Sequence, residues 1–242
     1  MLKHKFILSV AIIATFISGT FGSVFAIDHK VKRQGTFKVR IENISDKDGI
    51  VAQDGSKYPF ALSPGFYTLS NNKMDLFRDG KKASDALEAQ AEDGNPELFE
   101  KKFLTVLGGL YIGVFNKPVG ADKPAPIFSG GAFEFEFTAT EGMKLDMTTM
   151  YGQSNDLFYG PKQAIDLFDA EGKGISGDLT DKFLLWDAGT EINQAPGLGA
   201  DQAPRQKAPN TGANENGVVH LVNDGFSYPN TKEVLRITIT AL

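Results

Sequence analysis

Phe37-Lys38-Val39-Arg40-Ile41-Glu42 alternates apolar and charged side chains without a break, and two later stretches repeat the pattern: Phe133-Glu134-Phe135-Glu136-Phe137 and Leu235-Arg236-Ile237-Thr238-Ile239-Thr240. Successive side chains of an extended chain point to opposite faces, so a period of two gives each segment one apolar and one polar face. Segments of this kind form antiparallel strands with one side in a core and the other in water. Further strand candidates are Phe60 to Leu69, Lys144 to Tyr151, Ala164 to Phe168, Phe183 to Trp186 and Val218 to Val222, separated by clusters of Gly, Pro, Asn and Asp. About eight strands result, and the expected fold class is all-β: an antiparallel β-sandwich with one or two short helices in its connections. Nineteen Phe against a single Trp make phenylalanine the main aromatic filling of its core.

Two segments leave this pattern. Ala83 to Ala91, with Leu87 and Ala91 four apart, and Pro96 to Leu107, with Leu98, Phe99, Phe103 and Leu107 at helical spacing, predict short helices flanking the turn Glu92-Asp93-Gly94-Asn95. Ala195 to Gly217 is rich in Pro, Gly, Asn and Gln and nearly devoid of large apolar residues. It reads as a long ordered loop, and such loops tend to carry function.

The N-terminus has the composition of an export signal. Lys3, His4 and Lys5 precede an apolar run from Phe6 to Ile17, and Val24-Phe25-Ala26 offers the short side chains that a signal peptidase reads. The run is shorter than the ~20 residues that span a bilayer, which favours a signal cleaved after Ala26 over an anchor. The expected organisation is a signal peptide over 1–26, a tail over 27–34 and one domain over 35–242, located in a periplasm or outside the cell. Without the signal the chain holds 23 basic against 30 acidic residues, a formal charge of -7, and no Cys. Disulfides are excluded, and an acidic chain without a basic run argues against nucleic acid and against stable attachment to a membrane.

The same inventory narrows the chemistry. Beyond the signal only His29 and His220 remain, so a Cys-His pair is impossible and a Ser-His-Asp triad would rest on His220 alone. Zinc is disfavoured by the same shortage. Gly108-Gly109, Gly130-Gly131 and Gly172-Lys173-Gly174 do not have the strand-loop-helix context of a phosphate-binding loop. Asp169, Glu171 and Asp178 fail EF-hand spacing and read as a polar turn. Ser154-Asn155-Asp156 and Asp187-Ala188-Gly189-Thr190-Glu191 each follow a predicted strand, so in a sandwich both lie at strand ends, where carboxylates from separate loops converge on a hard cation such as Ca²⁺.

Several pieces, taken in order, carry a family resemblance: Phe37 to Ile44, Leu62-Ser63-Pro64-Gly65, Ala86 to Pro96, Met150 to Gly160, Ile165 to Phe168, Trp186 to Glu191 and Ala203-Pro204-Arg205-Gln206. From Gly35 to the C-terminus the chain resembles the spondin N-terminal domain in its bacterial exported form. That resemblance implies a sandwich similar to calcium-binding C2 domains, used for adhesion and ligand binding without catalysis, with a metal ion at one end. It implies Asp156, in the Ser-x-Asp-x-Phe motif, and Asp187, first in the Asp-Ala-Gly-Thr-Asp motif, as metal ligands. Glu191 replaces the last Asp of that motif and is one methylene longer. Phe158 and Trp186 flank this site as candidate ligand-contacting rings, and Arg205 is a candidate partner for a carboxylate. The expected function is a calcium-binding adhesion module with an extracellular protein or glycan as partner. The alternatives are a carbohydrate-active hydrolase using paired carboxylates and an envelope or matrix component without a discrete ligand.

Overall fold

A computed structural model describes residues 32–71, 75–104 and 110–242, with Leu110 described by its backbone alone. The expected export signal, His29 and the end of the second predicted helix, from residue 105 on, lie outside the described residues. The three alternating stretches that open the sequence analysis are neighbours in space. Strand β1 (Gln34–Asn43) pairs antiparallel on one side with β13 (Leu235–Ala241) and on the other with β6 (Ala132–Thr140). The register sets Val39 opposite both Phe135 and Ile239, and Ile41 opposite both Phe133 and Ile237. The apolar faces therefore coincide across three strands, while Lys38, Arg40, Glu42, Glu134, Glu136 and Arg236 share the other face as ion pairs. The short β10 (Gly177–Asp178) completes this sheet beside β13.

The second sheet has the order β12-β11-β8-β7-β4-β5, with β9 also paired to β7. These strands are β4 (Leu62–Ser70), β5 (Leu110–Phe115), β7 (Lys144–Tyr151), β8 (Leu157–Pro161), β9 (Ile165–Asp166), β11 (Phe183–Asp187) and β12 (His220–Leu221). A separate two-stranded ribbon joins β2 (Ile50–Val51) to β3 (Lys57–Tyr58). The architecture is the expected antiparallel sandwich, with thirteen strands among the described residues. The additional ones are mostly two-residue pairings too short to leave a period. Two longer strands were also not expected: β5, and β8, whose Leu157-Phe158-Tyr159 run is apolar on both faces and shows no alternation.

Burial explains β8. The second sheet is covered on both sides. Toward the first sheet, Leu69, Leu145, Met147, Tyr159 and Phe183 meet Phe37, Val39, Ile41 and Ile237 in one core, and Tyr67 stacks on Phe135 across the gap at 4.3 Å between ring centres. On its outer face Phe66, Phe158 and Trp186 meet two helices, α1 (Asp85–Asp93) and α2 (Glu97–Leu104), in a second apolar layer. Helix α1 starts where Ser84 Oγ accepts from Leu87 N and stops at Gly94, in the left-handed conformation at φ 64°. A glycine reaches that conformation without steric cost, which makes it a common helix end. The third helix, α3 (Thr231–Val234), is one turn leading into β13. None of the helices among the described residues is long and apolar enough to cross a membrane.

The turn at Asp169 is polar, as its spacing suggested. Asp169 Oδ1 accepts from Glu171 N and Lys173 N at 3.1 and 2.7 Å, which uses the carboxylate within the turn.

Candidate metal centre

Three acidic side chains converge where β7 hands over to β8 and β11 ends. Asp156 closes the connection that follows β7, Asp187 is the last residue of β11, and Glu215 lies near the end of the long loop that returns to β12. Each offers a carboxylate oxygen within 4.8 Å of the other two. The fold produces this meeting in two steps. Antiparallel pairing of β8 with β11 sets Leu157 opposite Asp187, which brings Asp156 to the end of β11. Pairing of β11 with β12 then sets Asp187 opposite His220 and turns the preceding loop back over Asp187. Backbone bonds from Glu215 N to Thr190 O and from Gly217 N to Gly189 O, 2.9 and 2.8 Å, fix that return.

Gly189 makes the return possible. Its φ is 68°, and a Cβ placed on it would lie 2.6 Å from the backbone N and O of Val218. Any larger residue would clash with main chain there, in a conformation L-residues rarely adopt.

The two buried aspartates are held differently. Asp156 Oδ2 accepts three hydrogen bonds, from Thr190 N at 2.7 Å, Thr190 Oγ1 at 3.0 Å and Glu191 N at 3.0 Å. Its Oδ1 is buried and has no hydrogen-bond partner. Asp187 Oδ1 accepts from Gly189 N at 2.7 Å, and Oδ2 accepts from Asn193 Nδ2 at 2.5 Å. The carbonyl oxygen of that Asn193 side chain is also buried without a partner. His220 Nε2 stands 4.0 Å from Asp187 Oδ2.

Burial raises the proton affinity of Asp156, and the charge of Asp187 adds to it. Burial raises Asp187 as well. Glu215 is exposed and is raised by partial burial and by Asp187. A further acid, Glu92 at the end of α1, is buried with Oε2 unpartnered. Burial pushes Glu92 up to about 8, and the charges of Glu191, Glu88 and Asp156 act in the same direction. This end of the sandwich therefore concentrates negative charge in a poorly solvated place, which is costly unless protons or a cation neutralise it.

The expected site residues divide sharply. Asp156 and Asp187 are brought together. Glu191 is beside them in sequence but its carboxylate turns away: Oε1 accepts from Gly212 N at 2.8 Å and Oε2 from Asn155 Nδ2 at 3.2 Å. The expectation that Glu191 joins Asp156 and Asp187 is corrected: the third carboxylate of the cluster is Glu215, because Glu191 ties the long loop to the β7–β8 connection instead. Phe158 and Trp186 are corrected too. They are 0% and 1% exposed and pack with Phe77 in the outer layer, where Trp186 also borders a cavity of about 430 Å³, so they form no exposed platform beside the acidic cluster. Trp186 spends its one donor on Gly160 O at 3.0 Å. Arg205 pairs with no carboxylate; its guanidinium donates to Gly199 O at 2.7 Å, to Gln153 Oε1 at 3.0 Å and to Gln202 Oε1. It braces the long loop from within.

Glu215 left a faint signal in the sequence. It is an isolated acid in an Asn-Glu-Asn-Gly turn, placed just before the predicted strand Val218 to Val222. Only the knowledge that this strand pairs with the one ending at Asp187 would have drawn it into the site.

Comparison with protein-family models and with curated proteins returns no match. The functional reading therefore rests on the geometry and on the motif order.

Proposed function

We propose that this protein is an exported, non-catalytic binding module of the spondin type, whose loop-bearing end is ordered by Ca²⁺ bound between Asp156, Asp187 and Glu215. The observation that carries the reading is Asp156: a buried carboxylate whose Oδ1 has no hydrogen-bond partner and which offers an oxygen within 4.8 Å of oxygens of two further carboxylates. An unpaired acceptor of this kind is strongly disfavoured in a protein interior, and a cation satisfies it directly. The donor set is all oxygen, which suits a hard cation, and loop carbonyls and water complete the six to eight ligands that Ca²⁺ takes. Asn193, whose Nδ2 donates to Asp187, also holds a buried Oδ1 without a partner. Glu215 reaches the site from the long loop, so binding would couple the cation to the conformation of the surface that loop presents to an extracellular protein or glycan. A periplasmic or extracellular location, where free Ca²⁺ is high, matches the ~10⁻⁴ to 10⁻³ M affinity of extracellular calcium sites.

The test is calcium titration by calorimetry on the wild type, on Glu215→Gln and on an Asp156→Asn, Asp187→Asn double variant. Glu215 is exposed, so its replacement leaves the core intact. The expected result is saturable binding by the wild type, binding weaker by about tenfold in Glu215→Gln, equivalent to roughly 1.4 kcal/mol, and none in the double variant. Equal heats from all three proteins would remove the site.

A further inference from the structure

The loop that delivers Glu215 also carries the only asparagine in the sequence that glycine follows, Asn216-Gly217. Asn216 is exposed and takes the left-handed conformation, φ 59°, which asparagine adopts more readily than most residues with a Cβ. Its backbone N donates to Asn214 Oδ1 at 2.7 Å, within the turn. The residues on either side reach across the molecule instead: Glu215 N donates to Thr190 O at 2.9 Å and Gly217 N to Gly189 O at 2.8 Å, both on the turn that follows β11. These two bonds seat the loop, and Asn216 stands out between them.

An exposed asparagine before glycine has a reaction of its own. The backbone nitrogen of the glycine attacks Cγ of the asparagine and closes a cyclic imide. An N–Cγ bond forms, the Cγ–Nδ2 bond breaks, and Nδ2 leaves as ammonia with the proton shed by the attacking nitrogen. Water then opens the ring at either carbonyl, giving aspartate or isoaspartate. Glycine favours the closure because no Cβ crowds its nitrogen and its backbone turns freely. Water is the one co-reactant, and no oxidant or reductant takes part.

In this fold the attacking atom is engaged. Gly217 N must give up Gly189 O and its proton before it can reach Cγ, so the reaction proceeds from the state in which the loop has lifted off Gly189. We propose that Asn216 is a self-deamidation site gated by the hydrogen bond from Gly217 N to Gly189 O, closed while the loop is seated and reactive once it lifts. The isoaspartate product does not fit the seated loop, because it lengthens the main chain by one methylene between the two residues whose N–H groups hold it. Either product adds a carboxylate beside Glu215. A reversible opening thus leaves a covalent record. The proposal involves no cation and stands apart from the calcium reading.

The experiment incubates the purified protein in mildly alkaline buffer with EDTA, folded and in urea that unfolds it, and locates deamidation by peptide mapping with tandem mass spectrometry. In urea, Asn216 should be converted before any other asparagine. In the folded protein its conversion should be slower by about tenfold or more, a factor set by the free energy of lifting the loop. Gly189→Ala, which drives a Cβ against the Val218 backbone, should speed conversion in the folded protein severalfold and leave the rate in urea unchanged. Should that variant not fold, urea below the unfolding transition supplies a second measurement on the wild type: hydrogen exchange at Gly217 N and conversion of Asn216 should rise in proportion. Prior conversion of another asparagine in urea overturns the site. Equal rates in the folded and unfolded protein overturn the gate, as do exchange at Gly217 and deamidation that change independently.

Discussion

The two poles of the second sheet use one device in two settings. At each, a β-strand or its connection buries an aspartate, satisfies one oxygen with backbone N–H donors and leaves the other without a partner: Asp156 at the loop-bearing pole and Asp146 at the opposite one. What differs is the company. Asp156 faces Asp187 and Glu215, with Glu92 nearby, so acids gather there, in the setting proposed above to take a cation. Asp146 has charges of both signs around it, Asp75 and Asp79 with Arg78, Lys144 and Lys162. An orphaned buried carboxylate is thus one local outcome of burial at a strand, and the charges around it set how it can be neutralised.

The comparison can be broken most forcefully at Asp146. Its carboxyl is raised from 3.8 to about 7, chiefly by burial, with the charge of Asp75 adding. The folded state thus binds a proton that the unfolded chain has already released. Stability contributed by the neutral acid is complete below pH 4 and is lost as pH rises toward 7. Asp146→Asn, which cannot ionise, should match the wild type near pH 4 and exceed it by on the order of 3 kcal/mol at pH 8 in urea denaturation. The gap should be the same with and without calcium. A gap that calcium closes would mean that the two poles are one site.

Gly189 tests the acidic pole alone. Gly189→Ala forces a Cβ against the Val218 backbone at positive φ, so it should cost roughly 2 kcal/mol of stability and displace Glu215 from Asp187. Calorimetry should show calcium affinity lowered by more than tenfold while the pH dependence of stability set by Asp146 is unchanged. Normal calcium binding in this variant would show that the Glu215 loop is not needed.

The smallest effect is expected at Arg205. Arg205→Ala removes three hydrogen bonds that hold the long loop on itself and on Gln153. Stability should fall by about 1 kcal/mol, and calcium affinity severalfold, because the loop that delivers Glu215 becomes harder to order. Limited proteolysis across 195–217 would report the loosening directly.

These two poles were not equally legible in the sequence. The inner core was plain: Phe37, Val39 and Ile41, Phe133 and Phe137, and Leu235, Ile237 and Ile239 alternate in register because one face of their sheet meets the core and the other meets water. Asp156 and Asp187 were visible because each follows a strand, and strand ends gather at one pole. Asp146 was hidden by the same rule that revealed the strands. Within Lys144 to Tyr151 it occupies the position a half-buried strand gives to solvent, but α1, α2 and the segment around Phe77 cover that outer face. Phe158 and Trp186 misled for the same reason, since a second covering layer turned an expected platform into packing. Glu191 and Glu215 show the other limit. Local spacing can place an acid near a strand end, but only the β11–β12 pairing decides which of two glutamates points inward.

The central claim is that Asp156, Asp187 and Glu215 share one calcium ion. A crystal structure of the protein grown in calcium chloride, with anomalous data collected at long wavelength, tests it most directly. A shared ion gives one anomalous peak with Asp156 Oδ1 and oxygens of Asp187 and Glu215 each about 2.3 to 2.6 Å away. A well-ordered structure in which water or a hydrogen-bond donor fills the position facing Asp156 Oδ1, with no anomalous peak there, would contradict it.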